Sequence, residues 1–131
     1  MKKKLSDEEL TKDLAVSKEM CAKVFRALDD KQGENIKVLD IHEVSILADY
    51  FVIANGKNPN HVNAMIDEVQ DKLAEGGYDD PRIEGYGDGT WVLMDYGRVI
   101  VHVFQKEARQ FYDLERIWGD STVISPDELK A

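Results

Sequence analysis

The segment Val99-Ile100-Val101-His102-Val103-Phe104 leaves this chain the least structural choice. Its β-branched side chains are stiff about their first torsion and fit a pleated strand better than a helix. The tight connection Tyr96-Gly97-Arg98 stands immediately before it. A strand fed by so short a turn runs back antiparallel to whatever precedes it, so Trp91-Val92-Leu93-Met94-Asp95 is predicted as its hairpin partner. A second apolar run, Tyr50-Phe51-Val52-Ile53-Ala54, stops at Asn55-Gly56. It is too short for a helix and suits a buried strand at the centre of a sheet.

The other elements follow from period and punctuation. Ser6-Asp7-Glu8-Glu9 reads as a capping box. Leu10, Leu14, Cys21, Val24, Phe25 and Leu28 then recur at helical spacing, giving a first helix to about Asp30. Lys31-Gln32-Gly33 ends it, and Ile36 to Asp40 is predicted as a strand. Pro59 suits the first turn of a second helix, which Val62, Met65, Ile66, Val69 and Leu73 carry to Gly76-Gly77. Arg82-Ile83-Glu84 is a short strand, and from Lys106 the pattern is helical again through Trp118. The order α-β-β-α-β-β-β-α predicts an α/β (α+β) domain with a mixed sheet of about five strands and helices on both faces. Only the second and third strands are joined by a helical crossover. Residues 1–131 are read as one domain, with mobile ends at about 1–5 and 121–131.

Composition narrows the function classes. With 17 basic and 26 acidic residues the net charge is -9, which repels phosphate backbones and suits a basic protein partner. Nucleic acid is therefore not expected as the main contact. The single cysteine, Cys21, has no second cysteine to pair with, as expected in a reducing compartment. No run of about 18 apolar residues exists to span a bilayer, and the amino terminus lacks a signal-peptide core. A bacterial-type cytoplasm, with no membrane contact, is the expected location.

Candidate chemistry is sparse. Gly85, Gly87 and Gly89 would cradle phosphate only if they followed a strand and opened a helix. A strand follows, so a turn is expected. His42, His61 and His102 have no metal-ligand spacing. His102 shares a strand face with Ile100 and Phe104, where a hydrogen-bonded, partly buried imidazole is expected. The element order also suits a nucleotidyltransferase-like fold, a metal-dependent enzyme class. Its paired carboxylates must converge about 4 Å apart around two ions, whereas Asp7-Glu8-Glu9 and Asp113-Leu114-Glu115 fall in helical segments. The fold is expected without the reaction and without a cofactor. Trp91, Leu93 and Asp95 share one strand face, with Tyr96 next in sequence. That face is either covered by helices or left open as an interface anchored by aromatic groups.

These residues also carry a resemblance. Ala48 to Ala54, Glu84-Gly85, Trp91 to Gly97, Val101 to Phe104, Arg109 with Phe111-Tyr112, and Leu114-Glu115 with Trp118 resemble the ribosomal silencing factor family, also called Iojap-related, over about residues 10 to 120. The resemblance implies a translational repressor that docks on the large ribosomal subunit through its protein fourteen. There it would keep the small subunit from joining when nutrients fail. It further implies partner contacts at Trp91, Leu93, Asp95 and Tyr96, to which Glu84, Arg109 and Glu115 are added, and a homodimer off the ribosome is compatible with it. Two positions depart from the family pattern: Gly56-Lys57-Asn58, where Gly-Thr-Ser or Gly-Asn-Ser is usual, and Arg98, where Asp is common. A self-associating scaffold is the third expectation, paired through the exposed hairpin.

Overall fold

The computed structural model describes residues 7–43, 48–112 and 122–124. They form, in chain order, α1 (Asp7–Asp30), β1 (Glu34–Asp40), β2 (Tyr50–Gly56), α2 (Pro59–Glu75), β3 (Arg82–Glu84), β4 (Trp91–Asp95), β5 (Val99–Gln105), α3 (Lys106–Tyr112) and β6 (Thr122–Ile124). The strands make one mixed sheet in the order β3-β4-β5-β2-β1-β6. β2 and β5 are parallel neighbours, and the remaining pairs are antiparallel. The predicted hairpin is present, with Asp95 opposite Ile100 and Trp91 opposite Phe104. The α2 crossover leads from β2 to β3 as expected, but β3 lies at the sheet edge with β4 and β5 between them. The apolar strands explain the order. β2 is buried throughout and β5 at all but its last residue, so they take the centre, while short, charged β3 takes the exposed rim.

Among the described residues, helices pack on both faces. α1 and α2 pack on Val38, Val52, Ala54, Val92, Met94, Val101 and Val103 through Val24, Leu28, Met65, Ile66 and Val69, all fully or almost fully buried. The opposite face, Leu39, Phe51, Ile53, Ile100 and Phe104, meets α3 at Ala108, with Trp91 and Leu93 at its margin. Among the described residues no helix is long and apolar enough to cross a membrane.

Local signals act where the sequence places them. α1 stops as Gln32 takes φ 60 and Gly33 N–H donates to the Leu28 carbonyl at 2.8 Å. Asn58, one of the two departures from the family pattern, caps α2: its extended backbone leaves the side chain to accept from His61 N–H at 2.8 Å, with Pro59 next. Asn58→Ala is therefore expected to destabilise the fold by about 1 kcal/mol, read as a lower urea midpoint; an unchanged midpoint would show that the cap contributes nothing. Ser6 of the predicted capping box lies outside the described residues.

Two boundaries need correction. β1 starts at Glu34, ahead of the expected Ile36, because Asn35 at φ 48 forms an irregularity that shifts register between Glu34 and Lys37. Within the carboxyl-terminal segment, expected to be mobile over about 121–131, residues 122–124 form β6, and the rest lies outside the described residues. Thr122, Val123 and Ile124 pair with Asp40, Leu39 and Val38, which makes the sheet six-stranded. The main-chain groups of β1 on that side gain partners, something no local pattern announces.

Candidate functional site

β4 alternates strictly. Val92 and Met94 are fully buried toward the helices, whereas Trp91, Leu93 and Asp95 are half-exposed on the other face. Cross-strand pairing places Glu84 opposite Leu93 and Arg82 opposite Asp95 on one side, and His102 opposite Leu93 on the other. An apolar pair thus sits within a rim of charge. Glu84 is exposed and accepts from Arg82 Nη2 at 2.8 Å. Asp95 Oδ1 accepts from Gly97 N–H at 2.7 Å, which closes the hairpin turn.

The Trp91 indole is held from two directions. It stacks on Phe104 with ring centroids 5.1 Å apart and planes 23° from parallel. Its Nε1–H donates to His102 Nδ1 at 3.1 Å. The imidazole in turn sets its edge against Phe51, centroids 4.9 Å apart. Because Nδ1 accepts, the indole assigns the neutral tautomer with its proton on Nε2. Burial opposes charging and pushes the His102 pKa down to about 4. The expected hydrogen bond is therefore present, but the imidazole is fully rather than partly buried, and its Nε2 has no partner.

Other candidates part company from this patch. Tyr96 packs against the core on the α1/α2 side, with its hydroxyl buried and its pKa raised by that burial. It does not extend the Trp91 face. Arg109 is only 9% exposed and donates from Nη1 to the Asn35 carbonyl and to Asn55 Oδ1, the latter at 2.8 Å. Expected to face a partner, it instead spends these hydrogen bonds within the fold, its guanidinium tying α3 to the irregular start of β1 and the end of β2. Glu115 lies outside the described residues, as do Leu114 and Trp118. Arg98, the second departure, forms an ion pair with Asp13 and donates to the Asp13 carbonyl at 3.2 Å, fastening the hairpin turn to α1.

The glycine loop is the expected turn. Tyr86 hydroxyl donates to Asp67 of α2 at 2.9 Å, and Gly87 N–H donates to Asn63. Gly85 has φ +85 and sits where a Cβ would lie 2.2 Å from the Trp91 carbonyl oxygen, a close approach that only glycine permits. The histidines serve separate places: His61 Nδ1 accepts from Lys57 N–H at 2.9 Å, and His42 pairs with Asp40. Among the described residues no three His, Cys, Asp or Glu side chains could hold a metal ion together. A groove of about 370 Å³ between α1 and α2 is lined by Lys23, Arg26, Asp30, Lys72 and Glu75. It lies near the carboxyl ends of both helices, where Lys72 in the last turn of α2 complements that helix's partial negative charge.

His102 as the indole's acceptor is the residue that sequence reasoning missed. The signal was in the hairpin register: once Asp95 faces Ile100, Leu93 must face His102 and Trp91 must face Phe104.

Comparison with known proteins gives a consistent answer. Residues 15–131 match the family model described as ribosomal silencing factor during starvation. The chain is 42% identical over 101 residues to the ribosomal silencing factor RsfS of Bacillus subtilis, covering 77% of this chain and 86% of that protein. It is 37% identical to RsfS of Halalkalibacterium halodurans, covering 82% and 92% respectively. A crystal structure of a Chromobacterium violaceum protein superposes with a TM-score of 0.75 at 38% identity, covering 77% of this chain and 84% of that one. With almost the whole chain matched in sequence and most of it in fold, this protein belongs to the ribosomal silencing factor family.

Proposed function

We propose that the chain regulates translation by docking on the large ribosomal subunit, through its protein fourteen, with the sheet face that carries Trp91 and Leu93. Bound there, a body of 14.9 kDa occupies volume that the small subunit needs, and joining is blocked by placement alone. The observation that carries the docking face is the half-exposed Trp91 and Leu93 over a buried aromatic floor, rimmed by Glu84 and Asp95. Large aromatic anchors within a charged rim dominate binding energy at interfaces. The net charge of -9 steers the encounter toward a basic protein surface and away from bare RNA. The relatives' name, ribosomal silencing factor, fits the same role. No bond is made or broken, so no catalytic group or cofactor is called for, and the protein acts in the compartment where ribosomes assemble.

The test is subunit joining itself. Purified large and small subunits, mixed with and without the protein and resolved on sucrose gradients, should yield fewer joined ribosomes as the protein is titrated. Joining that proceeds undiminished at saturating protein would end this reading. Light scattering of the free protein over a concentration range separates a monomer from a homodimer that must dissociate first.

A further inference from the structure

We propose that His102 is a positioning residue for the docking face: by accepting the indole N–H it fixes the orientation in which Trp91 meets the partner, and it leaves the partner an apolar anchor whose one donor is already engaged. This rests on the docking reading above and adds a residue that lies beneath the contact surface.

Packing alone does not explain an imidazole here. His102 is 4% exposed, between Phe51, Phe104 and Trp91, in a cluster whose other buried members are all apolar. One ring nitrogen, Nε2, is buried with no partner, which makes the ring a poorer core residue than an aliphatic one of similar volume. What the imidazole supplies is the acceptor, Nδ1, at 3.1 Å from the indole nitrogen. Ordering a tryptophan during association weakens binding. A hydrogen bond made in the buried layer freezes it beforehand. With Nε1–H committed inward, a partner gains nothing by offering an acceptor there, so the surface that meets Trp91 is expected to be aliphatic or aromatic.

A double-mutant cycle separates positioning from mere structure. His102→Leu should weaken binding to purified large subunits about tenfold, as expected when docking must bury the released indole N–H without an acceptor. In a Trp91→Phe background, which has no indole N–H, the same change should add less than about twofold. His102→Asn, which keeps an acceptor near the position of Nδ1, should recover most of the loss. In the free protein, the indole N–H resonance of Trp91, assigned by its absence in Trp91→Phe, should be protected from exchange in the wild type and His102→Asn, and exposed in His102→Leu. Should His102→Leu not fold, His102→Phe gives a ring of similar size without an acceptor. Equal losses in both backgrounds, or an indole N–H unmoved by His102→Leu, would overturn the positioning role while leaving docking intact. A wild-type chain that does not bind large subunits at all would overturn the docking reading and this one with it.

Discussion

Phe104→Ala is expected to lower the free energy of unfolding by about 3–5 kcal/mol, the range for emptying a buried aromatic site. Phe104 is 1% exposed and forms the floor on which the indole stacks, in the face that also holds Phe51, Ile53 and Leu39. The loss combines the transfer free energy of the ring with the cavity left under Trp91, and the strands on either side are too well paired to collapse into it. Against the 5–15 kcal/mol that typically separates folded from unfolded domains, about 4 kcal/mol is a large share. Urea denaturation measures it. A change below about 1 kcal/mol would mean that this face is not packed as described, whereas Phe104→Leu, which keeps much of the volume, should fall within about 1.5 kcal/mol of the wild type.

Acid should weaken the fold through His102. Its folded pKa is pushed down to about 4 by burial, below the ordinary 6.5 of an exposed imidazole. The sign follows from proton uptake: between those values the unfolded chain binds a proton that the folded chain does not. Stability from this residue is therefore complete above pH 6.5, declines as pH falls below it, and is lost by about pH 4. The span corresponds to roughly 3 kcal/mol. Carboxylates add their own acid dependence, so the diagnostic is a difference. Urea midpoints measured from pH 7.5 to 4.5 should fall more steeply for the wild type than for His102→Asn, whose side chain does not titrate. Parallel curves would show that the imidazole titrates normally in the folded state. The same protonation would break the Trp91 bond, since a charged ring has no acceptor.

Elements whose cause is local were legible in the sequence. β5 and β2 announced themselves by continuous apolar runs, α2 by Pro59 and Gly76-Gly77 at its ends, and the β4–β5 hairpin by Gly97 between two alternating segments. The division of β4 into a Val92/Met94 side and a Trp91/Leu93/Asp95 side also followed from period-2 alternation. What escaped depended on partners distant in sequence. β6 exists because β1 has an edge to pair. Arg109 turns inward because Asn35 and Asn55 present oxygens to it, and these come from elements 74 and 54 residues away. Tyr96 looked like an extension of the aromatic patch because it follows Asp95. The turn ends the alternation, however, and its ring packs on the helix side. The choice between a covered and an open Trp91 face was undecidable from pattern, because both outcomes give the same alternation. Among the described residues Trp91 and Leu93 are partly buried at the margin of that face, which is the placement the docking proposal rests on.

The claim on which the account turns is that Trp91 meets the large ribosomal subunit. It is tested most directly by the equilibrium affinity of wild type and Trp91→Ala for purified large subunits, measured by co-sedimentation at fixed salt, with thermal unfolding confirming that both chains are folded. Removing a central aromatic anchor typically weakens binding by about 2 kcal/mol or more, so the expected result is a loss of roughly thirtyfold. An affinity within twofold of the wild type from a folded Trp91→Ala chain would contradict it.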